Sequence, residues 1–396
     1  MVTTMRARSL LVRLATIAAI TSSAFAVAAT PAHAVEGPWF DQHSGAAYNV
    51  NGTYTPLIGD FAGTSSDDIL FYAPGTGTDS LWTSSGTGSF SKANLAMQVN
   101  GTYTPLVGDF GGDQRDDIFW YGPGATKDFL WITHDGSFTQ VAENVSGTYT
   151  PFVLPDTQFT PAANDDIMWW KAGTGGGSVW SFTGSTGAHT AVGAPIAGSP
   201  KPVVGDFDGN GSADVFWYTA GSTPEALWRG NGAGHFTKSG FNIGGTYTPV
   251  VEDFTPERDG RSDIVWFTTT GFDSLWEGTA AGGFATSSHP IAGTGTPLPL
   301  LSEWGYIWSY SPTTPDRCWY TNGAVKLARV HGSQPVGEAV GDDYDEQCGN
   351  TELGAGYRPL IGTFTSTSDE DAIFWYKPGS APEYLFDFDP TVMTKS

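Results

Sequence analysis

The stretch VVGDFDGNGSADVFWY, residues 203–218, sets Asp206, Asp208, Asn210 and Asp214 around Gly209 and Gly211, directly ahead of an apolar run. Oxygen-bearing side chains at near-alternate positions of a tight loop suit a hard cation such as calcium, which takes about six to eight oxygens. The backbone carbonyl of Ser212 is a further candidate donor, and the two glycines permit the curvature. The competing reading is an Asx-turn hairpin, in which the same side chains merely satisfy backbone amides. Two related loops are expected to bind calcium more weakly. One carries Asp109, Asp113 and Asp117 but has Gly111 at the second ligand position, and the other carries Asp253, Asp259 and Asp263 with two extra residues. The remaining copies have lost more: Ala62 and Thr64 lie between Asp60 and Asp68, Gln158 and Thr363 replace the first acid elsewhere, and one loop is deleted between Trp304 and Gly305.

These loops need a scaffold, and self-comparison supplies one. GTYTP occurs at 52–56, 101–105, 147–151 and 245–249, with looser versions near 201, 297 and 356, so a unit of about 49 residues is repeated seven times. Each unit runs from a short apolar strand ending in GDF or a relative, through the acidic turn, into a second strand of the DDIFWY kind. A third strand follows with a Leu-Trp pair, then a Gly-rich turn and a fourth strand. Val, Ile, Phe, Tyr and Trp dominate, and they favour strands. Four short antiparallel strands per repeat are the signature of a β-propeller, so the expectation is an all-β, seven-bladed propeller of four-stranded blades. The seventh unit stops after YLFDFD and an orphan fragment precedes the first, so residues near 44–51 are expected to close the ring as the outer strand of the last blade.

The loops GDFDGNGSADVFWY at 205–218 and GDFGGDQRDDIFWY at 108–121 resemble the FG-GAP or VCBS-repeat family, secreted and cell-surface propellers related to integrin α-subunit heads. The resemblance covers residues 37–389. It implies calcium in the acidic hairpin loops and a propeller that serves as a binding scaffold.

Residues 1–34 read as a secretory signal peptide: Arg6, Arg8 and Arg13 precede an Ala-rich apolar run that ends near Ala32-His33-Ala34. Residues 35–396 are then one exported propeller domain with no membrane span. Export favours a disulfide between Cys318 and Cys348, the only two cysteines. Closing that loop would stabilise the chain by roughly 3–4 kcal/mol. It would also pin an insertion at 320–357, which holds the acidic run GDDYDEQCGN and follows CWY at 318–320, the counterpart expected for the Leu-Trp pair. Of the 18 Lys and Arg, three lie in the leader, which leaves 15 basic against 41 acidic residues. That balance argues against nucleic acid as a partner.

Signatures of catalysis are sparse. There is no HExxH, GxSxG or P-loop, and the histidines are scattered over different units. The favoured reading is a secreted, calcium-stabilised, non-catalytic module that binds a glycan or an extracellular protein. The alternative is a carbohydrate-active lyase, dehydratase or hydrolase with its site at the mouth of the channel. The 15 Trp, 15 Tyr and 24 Phe invite sugar stacking. Tryptophans recurring in every unit are expected to pack between blades, whereas Tyr54, Tyr103, Tyr149 and Tyr247, at the strand starts, are candidate ligand contacts.

Overall fold

A computed structural model describes residues 40–42, 48–156, 163–253, 259–268, 273–289, 296–298, 316–321, 324–329, 355–365 and 372–388. Repeats 1 to 5 each form one four-stranded antiparallel sheet that follows chain order. In blade 2 the strands are Thr104–Gly108, Asp117–Tyr121, Asp128–His134 and Ser137–Glu143. Blade 4 runs through Lys201–Gly205, Asp214–Tyr218, Glu225–Gly230 and Phe236–Phe241.

Burial follows composition. The second strand of each of these blades, DIFWY or its relatives, is buried on both faces, while the fourth strands expose most of their polar residues. First strands of neighbouring blades touch one another, which puts them innermost. The apolar core lies between blades: Phe110, Phe119 and Leu130 of blade 2 pack with Ile167, Trp169 and Phe182 of blade 3, and the joint between blades 4 and 5 is built likewise. Trp82, Trp131, Trp228 and Trp276 of the Leu-Trp pairs are buried in this packing.

The N-terminus closes the ring. Phe40–Gln42 pairs with Tyr384–Phe388 as the fourth strand of the closing blade, whose other strands are Arg358–Gly362 and Ala372–Tyr376. Tyr48 and Gly52 add bridges to Glu383 and Gly379. The closing strand thus lies a few residues before the expected 44–51.

The expected seven blades are corrected to six. Among the described residues the sixth repeat forms a three-stranded sheet of Thr296–Leu298, Asp316–Thr321 and Ala324–Arg329, and not a four-stranded blade. Its register shows why the sequence misled. Pro297 faces Trp319 as Pro105 faces Trp120, so DRCWY is the counterpart of DIFWY. Trp319 therefore holds a second-strand position and not that of a Leu-Trp tryptophan, and Cys318 stands where Phe119 does. Residues 324–329 of the supposed insertion are a strand. The leader at 1–34, GYIWSY at 305–310 and Cys348, and with it the expected disulfide, lie outside the described residues.

Candidate metal centre

The fourth loop begins where Gly205 pairs with Asp214. Asp206 folds the loop around its own carboxylate: Oδ1 accepts the N–H groups of Gly209 at 2.8 Å and Asn210 at 3.1 Å, and Oδ2 accepts that of Gly211 at 2.8 Å. Gly209 and Gly211 sit at φ of 73° and 87°, where a Cβ would be strained. Asp214, at the head of the second strand and fully buried, accepts the N–H of Phe207 at 3.0 Å and of Gly230 at 2.8 Å. Asp208, half-buried, completes the group, and carboxylate oxygens of Asp206, Asp208 and Asp214 all lie within 4.8 Å of one another. Desolvation pushes the Asp214 carboxyl up to about 8, and the charges of Asp208 and Asp206 add to the effect. A cation among the three would relieve that repulsion, and an all-oxygen donor set fits a hard one.

The other two expected donors are engaged differently. Asn210 Oδ1 accepts the Ser212 N–H at 2.8 Å and Asn210 Nδ2 donates to the Gly230 carbonyl at 3.0 Å, while Ser212 bridges to Asp156 of blade 3.

The second and fifth loops differ from the fourth by a positive charge. In the second, Asp109 accepts the N–H groups of Asp113 and Gln114, and Asp117 accepts those of Gly111 and Thr133. Gly111 brings no third carboxylate, and Asp113 is paired with Arg115 at 2.9 Å. In the fifth, Asp253 accepts the Gly260 N–H, Asp263 that of Gly278, and Asp259 is paired with Arg261. Among the described residues only the fourth loop gathers three acids at metal-ligand spacing. The register of blade 3 also moves three positions: Leu154 pairs with Asp166 as Gly108 pairs with Asp117, so Pro155 takes the place given to Gln158, which lies outside the described residues.

The backbone at the candidate tyrosines is clasped by a second set of tyrosines across the joints between blades. The hydroxyl of Tyr121, the last residue of DIFWY, donates to the Gly147 carbonyl at 3.0 Å and accepts the Tyr149 N–H at 2.8 Å. Tyr72, Tyr218 and Tyr376 do the same to the segments holding Tyr103, Tyr247 and Tyr54. The rings of Tyr103, Tyr149 and Tyr247 stand edge-on to Trp120, Trp169 and Trp266, and all four candidates are half-buried. A Cβ on Gly101 would come within 2.9 Å of the Tyr103 ring, which accounts for glycine in GTY.

Sequence reasoning missed a second set of acids: Asp79, Asp128, Glu225 and Glu383, each three residues before the Leu-Trp aromatic. They are buried and accept backbone N–H groups of the linker, as Asp128 does from Val145 at 2.6 Å and Glu225 from Ile243 at 3.0 Å. Their signal was the recurring acid at that spacing. Of the histidines, His189 stacks on Trp180 at 4.0 Å, and His134 and His235 are exposed on other blades.

No protein-family model and no curated protein matches the chain. Solved structures do. A lectin of Agrocybe aegerita, described as recognising non-reducing terminal N-acetylglucosamine, matches with a TM-score of 0.52 at 14% identity, over 84% of this chain and 87% of the lectin. BBS1N, solved in complex with ARL6DN, matches with a TM-score of 0.51 at 10% identity, over 90% of this chain and 99% of its own. At such identities the likeness is one of fold.

Proposed function

We propose that the chain is an exported, calcium-stabilised propeller of the FG-GAP type that binds glycans and has no chemistry of its own. The observation that carries the non-catalytic reading is how the repeated polar side chains are used. The DIFWY tyrosines, the paired aspartates and the acids before Leu-Trp all bond to backbone within or between blades, and the three-carboxylate group at 206–214 sits inside one blade. A cation there braces a loop. Glycan binding is supported by the fold shared with the lectin and by half-buried tyrosines at the starts of blades. Export rests on the basic and apolar pattern of residues 1–34.

Two measurements test this reading. Asp206→Ala/Asp208→Ala should lower the Tm in calcium and leave it nearly unchanged in chelator; equal loss in both would remove the metal assignment. A glycan array probed with the wild type and with Tyr103→Ala should show specific signals that the variant weakens. An array without signals would count against the sugar.

A further inference from the structure

Joints between neighbouring blades share a staple, in which the Phe of GDF or a relative meets a Phe of the next blade: Phe61 with Phe138 at 6.1 Å, Phe110 with Phe182 at 5.0 Å, Phe207 with Phe284 at 5.3 Å and Phe364 with Phe90 at 5.8 Å. Beside the staple lies a cover. The third residue after the first acid of loops 1, 2 and 4 is Gly63, Gly112 and Gly209, and the residue two places before the second-strand aspartate of the following blade is Arg115, Asn164 and Arg261. Each of these side chains lies on its glycine. A Cβ on Gly63 would stand 2.5 Å from Arg115 Nε, one on Gly112 2.9 Å from Asn164 Oδ1, and one on Gly209 2.8 Å from Arg261 Cγ. The acidic loop of one blade is thus roofed by a side chain of the next.

Arg261 is fixed in this place. The N–H of its neighbour Ser262 donates to the Asp206 carbonyl at 2.7 Å, and the Asp206 N–H donates to Ser262 Oγ at 3.1 Å. The Arg261 stem runs over Gly209, its Nε donates to the Gly278 carbonyl at 3.0 Å, and its Nη2 pairs with Asp259. The side chain is only 26% exposed, so salt screens its charge incompletely. The loop it covers is the one that gathers Asp206, Asp208 and Asp214 at metal-ligand spacing. The other covers meet less charge or bring none: Arg115 lies over a loop that keeps Asp60 and Asp68 but has Ala62 between them, and Asn164 is neutral. A guanidinium beside three carboxylates offsets part of their repulsion while the loop is empty and repels a divalent ion that enters it.

We propose that Arg261 is the built-in counter-cation of the 206–214 loop: from blade 5 it steadies the empty loop of blade 4 and sets how tightly that loop takes a divalent ion. The inference rests on the reading of the loop as a cation site. It makes the loop's affinity a property of two blades, because the charge that opposes the ion comes from the neighbour.

Calcium titration by calorimetry on the full chain, with Tm read in calcium and in chelator, tests it. Arg261→Gln should bind calcium about threefold to tenfold more tightly than the wild type, and should lose more Tm in chelator than in calcium. The bonds to Gly278 and Asp259 are lost under both conditions, so they cancel in that difference. Arg261→Lys, which keeps the charge, should restore the weaker affinity. Arg115→Gln removes the same charge at another joint and should leave the affinity unchanged. If Arg261→Gln does not fold, Arg261→Met keeps the stem on Gly209 and makes the same comparison. An unchanged affinity without the charge at 261, or an equal gain in Arg115→Gln, would overturn the role of Arg261 and leave the metal loop standing. Calcium binding that survives intact in Asp206→Ala/Asp208→Ala would remove the metal loop itself and the counter-cation with it.

Discussion

The joint between blades 2 and 3 and the joint between blades 3 and 4 solve one problem in two ways. At the former, Tyr121 clasps the segment of Tyr149, Asp165 accepts the Asp109 N–H at 2.9 Å, and Phe110 meets Phe182. At the latter all three devices are gone. Trp170 stands in the tyrosine register against Pro200 of GSP, Pro155 faces Ala213 in place of the aspartate stitch, and Asp156 replaces the Phe. The losses are matched: proline has no N–H to donate, so nothing is orphaned when its partner has no carboxylate. What remains is the backbone bridge between Asp156 and Ser212, apolar packing with Trp170 against Trp217 at 5.5 Å, and a polar cavity. A repeat that departs from its pattern on both sides of one joint marks a place with its own requirement.

The largest effect should come from cutting the regular joint at its staple. Phe110→Ala should cost about 3–5 kcal/mol as a fully buried aromatic, while Asp156→Ala in chelator should cost less than about 1 kcal/mol, being half-buried beside a cavity. Denaturant melts of the two would show it, and equal losses would erase the contrast.

Next in size is the stitch. Asp165→Ala removes the acceptor of both the Asp109 and the Asp156 N–H groups, so a loss of about 1–3 kcal/mol is expected for each buried donor left unsatisfied. Ala213→Asp together with Pro155→Asp should transplant the stitch. A double-mutant cycle should give a favourable coupling of about 0.5–3 kcal/mol; a coupling near zero would show that the two losses are independent.

Acidity should separate the joints as well. Burial raises Asp165 and Asp117 to about 8, whereas an unfolded aspartate titrates near pH 4. Between those values the folded chain holds protons that the unfolded chain has released. The stability they contribute is therefore full below about pH 4 and is lost as pH rises through 8. In chelator the Tm should fall from pH 5 to pH 8, and Asp165→Asn should flatten the slope.

The smallest effect belongs to the exposed pair of Arg115 and Asp113. Arg115→Gln should change stability by less than about 1 kcal/mol at moderate salt. Its use is sharper as a test of loops: if Arg115 stands in for a cation, combining Arg115→Gln with Gly111→Asp should let the second loop take up calcium, measured as one additional equivalent.

Much of the blade was legible. Alternating apolar residues and Gly-rich turns every ten residues or so delimit the strands of repeats 1 to 5, because both signals are local. The fourth acidic loop was legible too, since its three acids are eight residues apart at most. The sixth repeat was misread because CWY resembles either a Leu-Trp strand or the end of DIFWY, and only its pairing with Thr296–Leu298 separates them. The inter-blade clasp was not legible, because the Tyr121 hydroxyl that accepts the Tyr149 backbone N–H lies 28 residues away in sequence.

The sequence by itself determined the antiparallel four-strand unit, its inward and outward faces and the candidate metal loop, all set by short-range pattern and turn chemistry. Tertiary structure alone decided that six blades close the ring, that the recurring tyrosines and acids serve as inter-blade bonds, and that Asp156 faces a cavity. Those outcomes depend on the register between blades, which is set by contacts between residues that no local pattern relates.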